Sequence, residues 1–176
     1  NTDAIERLTI QFGTSMCYPI SSFGAHVAAR PRTSLKTRGN VAMCGTFGYE
    51  LDPRKLTDDE KAEVKQQIAD YRKYHRLVRE GDFYRLVSPT ENDFYCAWEF
   101  VSPDKTEAMM TAVVMRQPET RYCVQRLRGL DPKTYYQDEE TGTVYSGAML
   151  MNAGLNLTRD VYEDGTSVTK HFKAVN

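Results

Sequence analysis

Up to about residue 80 the apolar positions recur at helical spacing between short uncharged runs, and beyond it nearly every segment alternates in the manner of a strand. A boundary is expected there. Thr2 is a candidate cap for a helix that carries Asp3 in its first turn, and Ile5, Leu8 and Phe12 fall on one face before Gly13. Ser21 to Ala29 is short, uncharged and followed by Pro31, the pattern of a strand covered on both faces. A helix over Ser34 to Met43 and a strand over Gly45 to Leu51 continue an alternation typical of α/β sheets.

The clearest helix follows. Thr57-x-x-Glu60 is a capping box, Asp58 and Asp59 favour the positive end of the dipole, and Val64, Ile68, Tyr71 and His75 predict the inner stripe, with Gly81 ending the segment. Lys61, Glu63, Lys65, Arg72 and Lys73 lie mostly off that stripe and read as a solvated face. Beyond it, strands are expected at Phe83 to Ser88, Phe94 to Val101, Glu107 to Arg116, Arg121 to Arg128, Thr143 to Ser146 and Ser167 to Phe172, separated by turns rich in Pro, Asp and Gly. These form an antiparallel sandwich. The front half has too few strands for a self-sufficient α/β sheet, so the chain reads as the end of a longer protein.

Composition narrows the chemistry. With 23 basic and 24 acidic side chains in 176 residues, there is no electrostatic footprint for nucleic acid. No apolar run approaches a bilayer span, so no membrane partner is expected either. Cys17, Cys44, Cys96 and Cys123 are widely spaced and form no C-x-x-C pair; they read as reduced, buried thiols of a cytoplasmic protein. The three histidines are scattered, and His26, in an apolar stretch, reads as a core residue rather than a metal ligand.

Several blocks carry a resemblance: Asn1-Thr2-Asp3-Ala4-Ile5-Glu6-Arg7 with Ile10-Gln11-Phe12-Gly13-Thr14-Ser15, then Tyr18-Pro19, Gly24-Ala25-His26-Val27, Thr37-Arg38-Gly39-Asn40-Val41-Ala42-Met43, Phe47-Gly48-Tyr49-Glu50-Leu51-Asp52, Gly81-Asp82-Phe83-Tyr84-Arg85-Leu86 and Leu150-Met151-Asn152-Ala153-Gly154-Leu155. In this order, over residues 1–155, they resemble the bacterial α-galactosidases of glycoside hydrolase family 36. The resemblance implies the last quarter of a TIM (β/α)8 barrel over residues 1–76 and an antiparallel β-sandwich domain over residues 82–176. It also implies a retaining enzyme that removes terminal α-galactosyl groups from oligosaccharides such as raffinose and melibiose, with no cofactor or metal. The partners implied are the α-galactoside substrate, the rest of the catalytic domain and further copies of the chain, since relatives are often tetramers.

Retaining hydrolysis needs a nucleophile and an acid/base carboxyl about 5–5.5 Å apart. The family's nucleophile lies in a Lys-Trp-Asp motif, absent here, where the single tryptophan stands in Ala97-Trp98-Glu99. Its acid/base belongs to a Trp-x-Ser-Asp segment whose register falls just before Asn1. Asp3 is the nearest carboxylate, a candidate catalytic-site residue that reads first as a first-turn helix aspartate and second as part of the sugar site. Asp52, Glu50 and His26 are further candidates for the barrel mouth. Where relatives carry Pro-Asn-His-Gln-Thr-Gly-Arg, this chain runs Pro31-Arg32-Thr33-Ser34-Leu35 and is about six residues shorter in that rim loop. A reading from another class is a non-catalytic sugar-binding or assembly module, with Tyr84, Tyr95, Trp98, Tyr122, Tyr135 and Tyr136 as a stacking platform. Period-2 spacing instead assigns Phe94, Cys96, Trp98 and Phe100 to a buried sheet face.

Overall fold

The computed structural model describes residues 3–29, 32–120 and 122–175. Its front half runs α1 (Ala4–Ser15), a 3-10 turn (Ile20–Ser22), β1 (Gly24–Ala28), α2 (Leu35–Ala42), β2 (Thr46–Glu50), a second 3-10 turn (Pro53–Lys55) and α3 (Asp58–Glu80). The two strands pair in parallel, from Gly24 against Thr46 to Ala28 against Glu50. Side chains alternate across such a ribbon. Ala25 and Val27 pack fully buried with Leu35 and Ala42 of α2 and against Phe47, Tyr49 and Val64. On the opposite face Gly24, Thr46 and Glu50 are exposed and His26 and Gly48 half-buried. The expected strand with two covered faces therefore has one, and it is shorter than Ser21 to Ala29 because Ile20–Ser22 turns first.

The capping box at Thr57 is present: its hydroxyl accepts from the Glu60 N–H and the Glu60 carboxylate accepts from the Thr57 N–H. Of the predicted stripe, Val64, Ile68 and Tyr71 are half-buried, and the stripe departs from prediction at Gln67 and at its end. Gln67, Leu77 and Val78 are buried and Tyr74 half-buried, while His75 is exposed, its Nδ1 2.9 Å from the Arg72 carbonyl. The cause is the α2–α3 crossing. Gly39 lies so close that an added Cβ would come within 2.4 Å of the Gln67 amide. That amide donates to the Leu35 carbonyl and to Glu63 and accepts from the Tyr49 hydroxyl, so a fully paired polar group is buried beside the apolar stripe.

From Gly81 the chain enters β3 (Asp82–Val87), β4 (Tyr95–Val101), β5 (Glu107–Val114), β6 (Val124–Gln125), β7 (Tyr135–Asp138), β8 (Val144–Ser146), α4 (Gly147–Asn152), β9 (Leu155–Asn156) and β10 (Ser167–Val175). An antiparallel six-stranded sheet has the order β3-β4-β5-β10-β7-β8, and β6 pairs with β9 in a small second sheet. Between them lies a core that includes Ala97, Met110, Leu127, Tyr136, Leu150, Leu157 and Phe172. The other face of the large sheet presents Cys96, Trp98, Phe100, Met109 and Val113 to Ala4 and Leu8 of α1 and Leu77 and Val78 of α3. The Cys96–Trp98–Phe100 stripe is buried as expected, but against helices instead of the second sheet, and Phe94 stays 37% exposed where the chain enters the strand.

The predicted strand from Arg121 to Arg128 reduces to Val124–Gln125, and Arg121 lies outside the described residues. No pattern announced β7, β9 or α4. Two of them are two to four residues long, and β7 alternates two exposed with two buried residues, including Asp138, which a hydrophobic pattern does not score.

Candidate functional site

In an α/β barrel the chemistry sits where strands end and the following helices begin. Here that end holds Ala28 of β1, Glu50 of β2 and the starts of α1, α2 and α3. Thr2, the expected cap, lies outside the described residues, and the N-cap of α1 is Asp3, in extended conformation, with Oδ1 accepting from the Ile5 N–H at 3.0 Å. The residue is 6% exposed, and its Oδ2 is buried without a hydrogen-bond partner among the described residues.

Ser34 caps α2 by accepting from the Thr37 N–H at 3.1 Å. One turn on, Arg38 reaches back over the strand end and donates from Nη1 to the Ala28 carbonyl at 2.5 Å. Its Nε is buried and also lacks a partner among the described residues. Burial pushes the guanidinium pKa down, and the fields of Glu60 and Asp3 oppose that shift. The first turns of all three helices thus converge on Arg38. It stands in the family block Thr37 to Met43, yet no role was assigned to it, because a single arginine inside a helix is ordinary until the fold sets Asp3 and Glu60 beside it.

Of the other candidates, Glu50 stands at this end as the exposed last residue of β2. His26 is half-buried: its ring lies over Gly24 and Gly48 on the face of the ribbon that the described residues leave uncovered, with Nδ1 4.0 Å from Glu50 Oε1. Asp52 caps the 3-10 turn and holds Arg54 through both oxygens at 2.9 Å, which pulls its carboxyl pKa down. Among the described residues there is no group of three or more side chains suited to a metal ion, and no helix long and apolar enough to cross a membrane.

The cysteines carry no nucleophilic chemistry where they are buried. Cys44, Cys96 and Cys123 are free thiols, with burial pushing Cys96 up to about 12 and Cys123 to about 11. Cys17 departs from the expected burial and is exposed in the turn after α1. Of the aromatic platform, Trp98 and Tyr136 are buried and Tyr84 and Tyr95 pack against the core; only Tyr122 and Tyr135 stand out into solvent.

Comparison with known proteins agrees along the whole chain. A model named melibiase matches residues 1–81, and a model of the glycosyl hydrolase family 36 C-terminal domain matches residues 95–172. The α-galactosidase AgaA of Geobacillus stearothermophilus is 51% identical over 164 residues, which is 89% of this chain and 22% of that protein. The solved galactosidase domain of the α-galactosidase-sucrose kinase AgaSK superposes with a TM-score of 0.94 at 43% identity, covering 99% of this chain and 25% of the other. A variant of AgaA solved with raffinose superposes at 0.92 with 47% identity, again over 99% of this chain and 25% of the other. The chain therefore spans about a quarter of the length of the relatives it matches.

Proposed function

The chain belongs to glycoside hydrolase family 36, and from that premise we propose that it serves as the closing part of the catalytic barrel and the C-terminal β-domain of a retaining α-galactosidase. The observation that carries this reading is the β1–β2 ribbon. One face is sealed by α2 and α3, while the other offers Gly24, His26, Gly48 and Glu50, as strands do whose inner face awaits further strands of a barrel. In this reading residues 1–76 complete the barrel and residues 82–176 form the β-domain, which braces the barrel from outside through Trp98 and Phe100 against α1 and α3.

The substrates are oligosaccharides with terminal α-linked galactose, of the raffinose and melibiose kind. The two carboxyl groups of the double displacement come from residues outside these 176, the acid/base directly before Asn1 in the family register. Asp3 then stands one turn from the acid/base, with Oδ1 spent on the helix start, Oδ2 buried without a partner among the described residues, and its charge acting on Arg38. Its part is to hold the α1 start and the strand end it adjoins in place, without itself exchanging protons with the sugar. Assembly as a homo-oligomer and a cytoplasmic setting, with Cys17 exposed and reduced, belong to the same proposal.

The test is direct. The purified 176-residue chain should release no chromophore from a chromogenic α-galactoside, and a longer protein that contains it should do so with net retention. Turnover by the short chain, abolished by substituting a carboxylate within it, would overturn the assignment.

A further inference from the structure

The small sheet β6–β9 turns Cys123, Gln125, Leu155 and Leu157 into the core and its other face to solvent. Val124 pairs with Asn156, and the Leu157 N–H donates to the Cys123 carbonyl, which sets Tyr122 across from Thr158 on the outer face. There the Tyr122 ring is 66% exposed. Tyr122, Asn156, Thr158, Arg159 and Asp160 line an open groove of about 620 Å³. A second groove of about 620 Å³, between β10, the β7–β8 turn and helices α2 and α3, also has Asp160 in its wall, so the two meet at that residue.

The chemistry of this surface is selective. Asn156, Thr158, Arg159 and Asp160 set donors and acceptors beside the Tyr122 ring. A pyranose matches both parts, with a C–H face that stacks on a flat ring and a rim of hydroxyls that both donate and accept. Asn156 Oδ1 is held by the Thr158 N–H, and Thr158 Oγ1 by the Cys123 N–H, so the polar groups beside Tyr122 are fixed in place before any ligand arrives.

We propose that this outer face is a binding site for a neutral oligosaccharide chain, with Tyr122 as its stacking surface and Arg159 and Asp160 at its hydroxyl rim. The choice of galactose-bearing sugars rests on the α-galactosidase reading; the groove and its polarity do not. Of the six aromatics that the sequence offered as a platform, this leaves one at work.

The experiment uses the longer protein that contains this chain, run on native gels cast with soluble galactomannan. Wild type should be retarded in proportion to the polysaccharide. Tyr122→Ala and Arg159→Ala should each weaken the apparent affinity about ten-fold, as befits an aromatic contact and a rim hydrogen bond, and leave hydrolysis of a small chromogenic α-galactoside unchanged. Hydrolysis by a wild type whose mobility ignores the polysaccharide, or variants retarded as strongly as wild type, would overturn the site. Retardation lost in the variants, from a wild type that hydrolyses nothing, would uphold the site and refute the enzymatic reading alone.

Discussion

Glu99 sits in the middle of β4, with none of its surface exposed, on the sheet face turned toward the second sheet. Oε2 accepts from the Arg128 N–H at 2.8 Å, while Oε1 is buried without a partner among the described residues. Burial pushes the carboxyl up to about 8, against the smaller opposing effect of the Arg128 N–H. The folded protein therefore keeps a proton that the unfolded chain releases at about 4.5. Its stability contribution is whole below pH 4.5 and declines as pH rises toward 8, by about 1.4 kcal/mol per unit, which amounts to about 3 kcal/mol at pH 7. Glu99→Gln keeps an acceptor for Arg128 and removes the titration, at the cost of placing an amide NH2 where Oε1 stood, about 1 kcal/mol or more at every pH. The signature is thus a slope. Hydrogen exchange in the longer protein, read as protection factors over residues 95–114, should fall about two orders of magnitude between pH 5 and pH 7.5 in wild type and stay nearly level in the variant. Parallel profiles for the two proteins would refute the claim that Glu99 is held neutral in the core.

Arg85 donates from Nε to Ser15 Oγ at 2.8 Å and from Nη2 to the Ser15 carbonyl, and stacks near Phe12 and Phe83; Arg85→Met should speed exchange across α1 by an amount worth about 1–3 kcal/mol, and an unchanged rate would deny it a role at that helix end. For Glu139, burial pushes the carboxyl up, but Lys73, Lys173 and His171 outweigh it and hold it near 2. Its contribution is present above about 4.5 and lost as pH falls through about 2, so Glu139→Gln should flatten the acid limb of a thermal-unfolding profile, and an identical limb in both proteins would contradict this. Asp3→Asn should lower stability by about 0.3–1 kcal/mol with turnover nearly unchanged; wild-type melting combined with a ten-fold fall in kcat would place Asp3 in the reaction itself.

Local signals were legible wherever one residue type has one job. Thr57 and Glu60 announced a cap that forms as written, and Asp3 announced acid at a helix start, although it turned out to be the cap itself. The period-2 stripe of β4 announced burial at Cys96, Trp98 and Phe100. The candidate site was legible only through family blocks in order, which included both Asp3 and Arg38 but gave no sign that the two lie together.

The remainder was decided in three dimensions, because a pattern of apolar positions says that a face is covered and not by what. Both faces of β4 are apolar, so whether Trp98 meets a helix or a second sheet depends on where α1 and α3 lie, and that is set by contacts more than eighty residues apart, such as Leu8 with Trp98. The α3 stripe also takes in Gln67 because Gly39, on another helix, left room for an amide that finds three partners. His26 has the apolar neighbours of a core residue, yet strand alternation and the parallel partner Gly48 put it on the face that the fold leaves open. The sequence by itself determined which residues turn, cap and alternate; only packing determined which of two faces a charged or aromatic side chain meets, since that energy belongs to pairs of residues distant in the chain and appears in neither member alone.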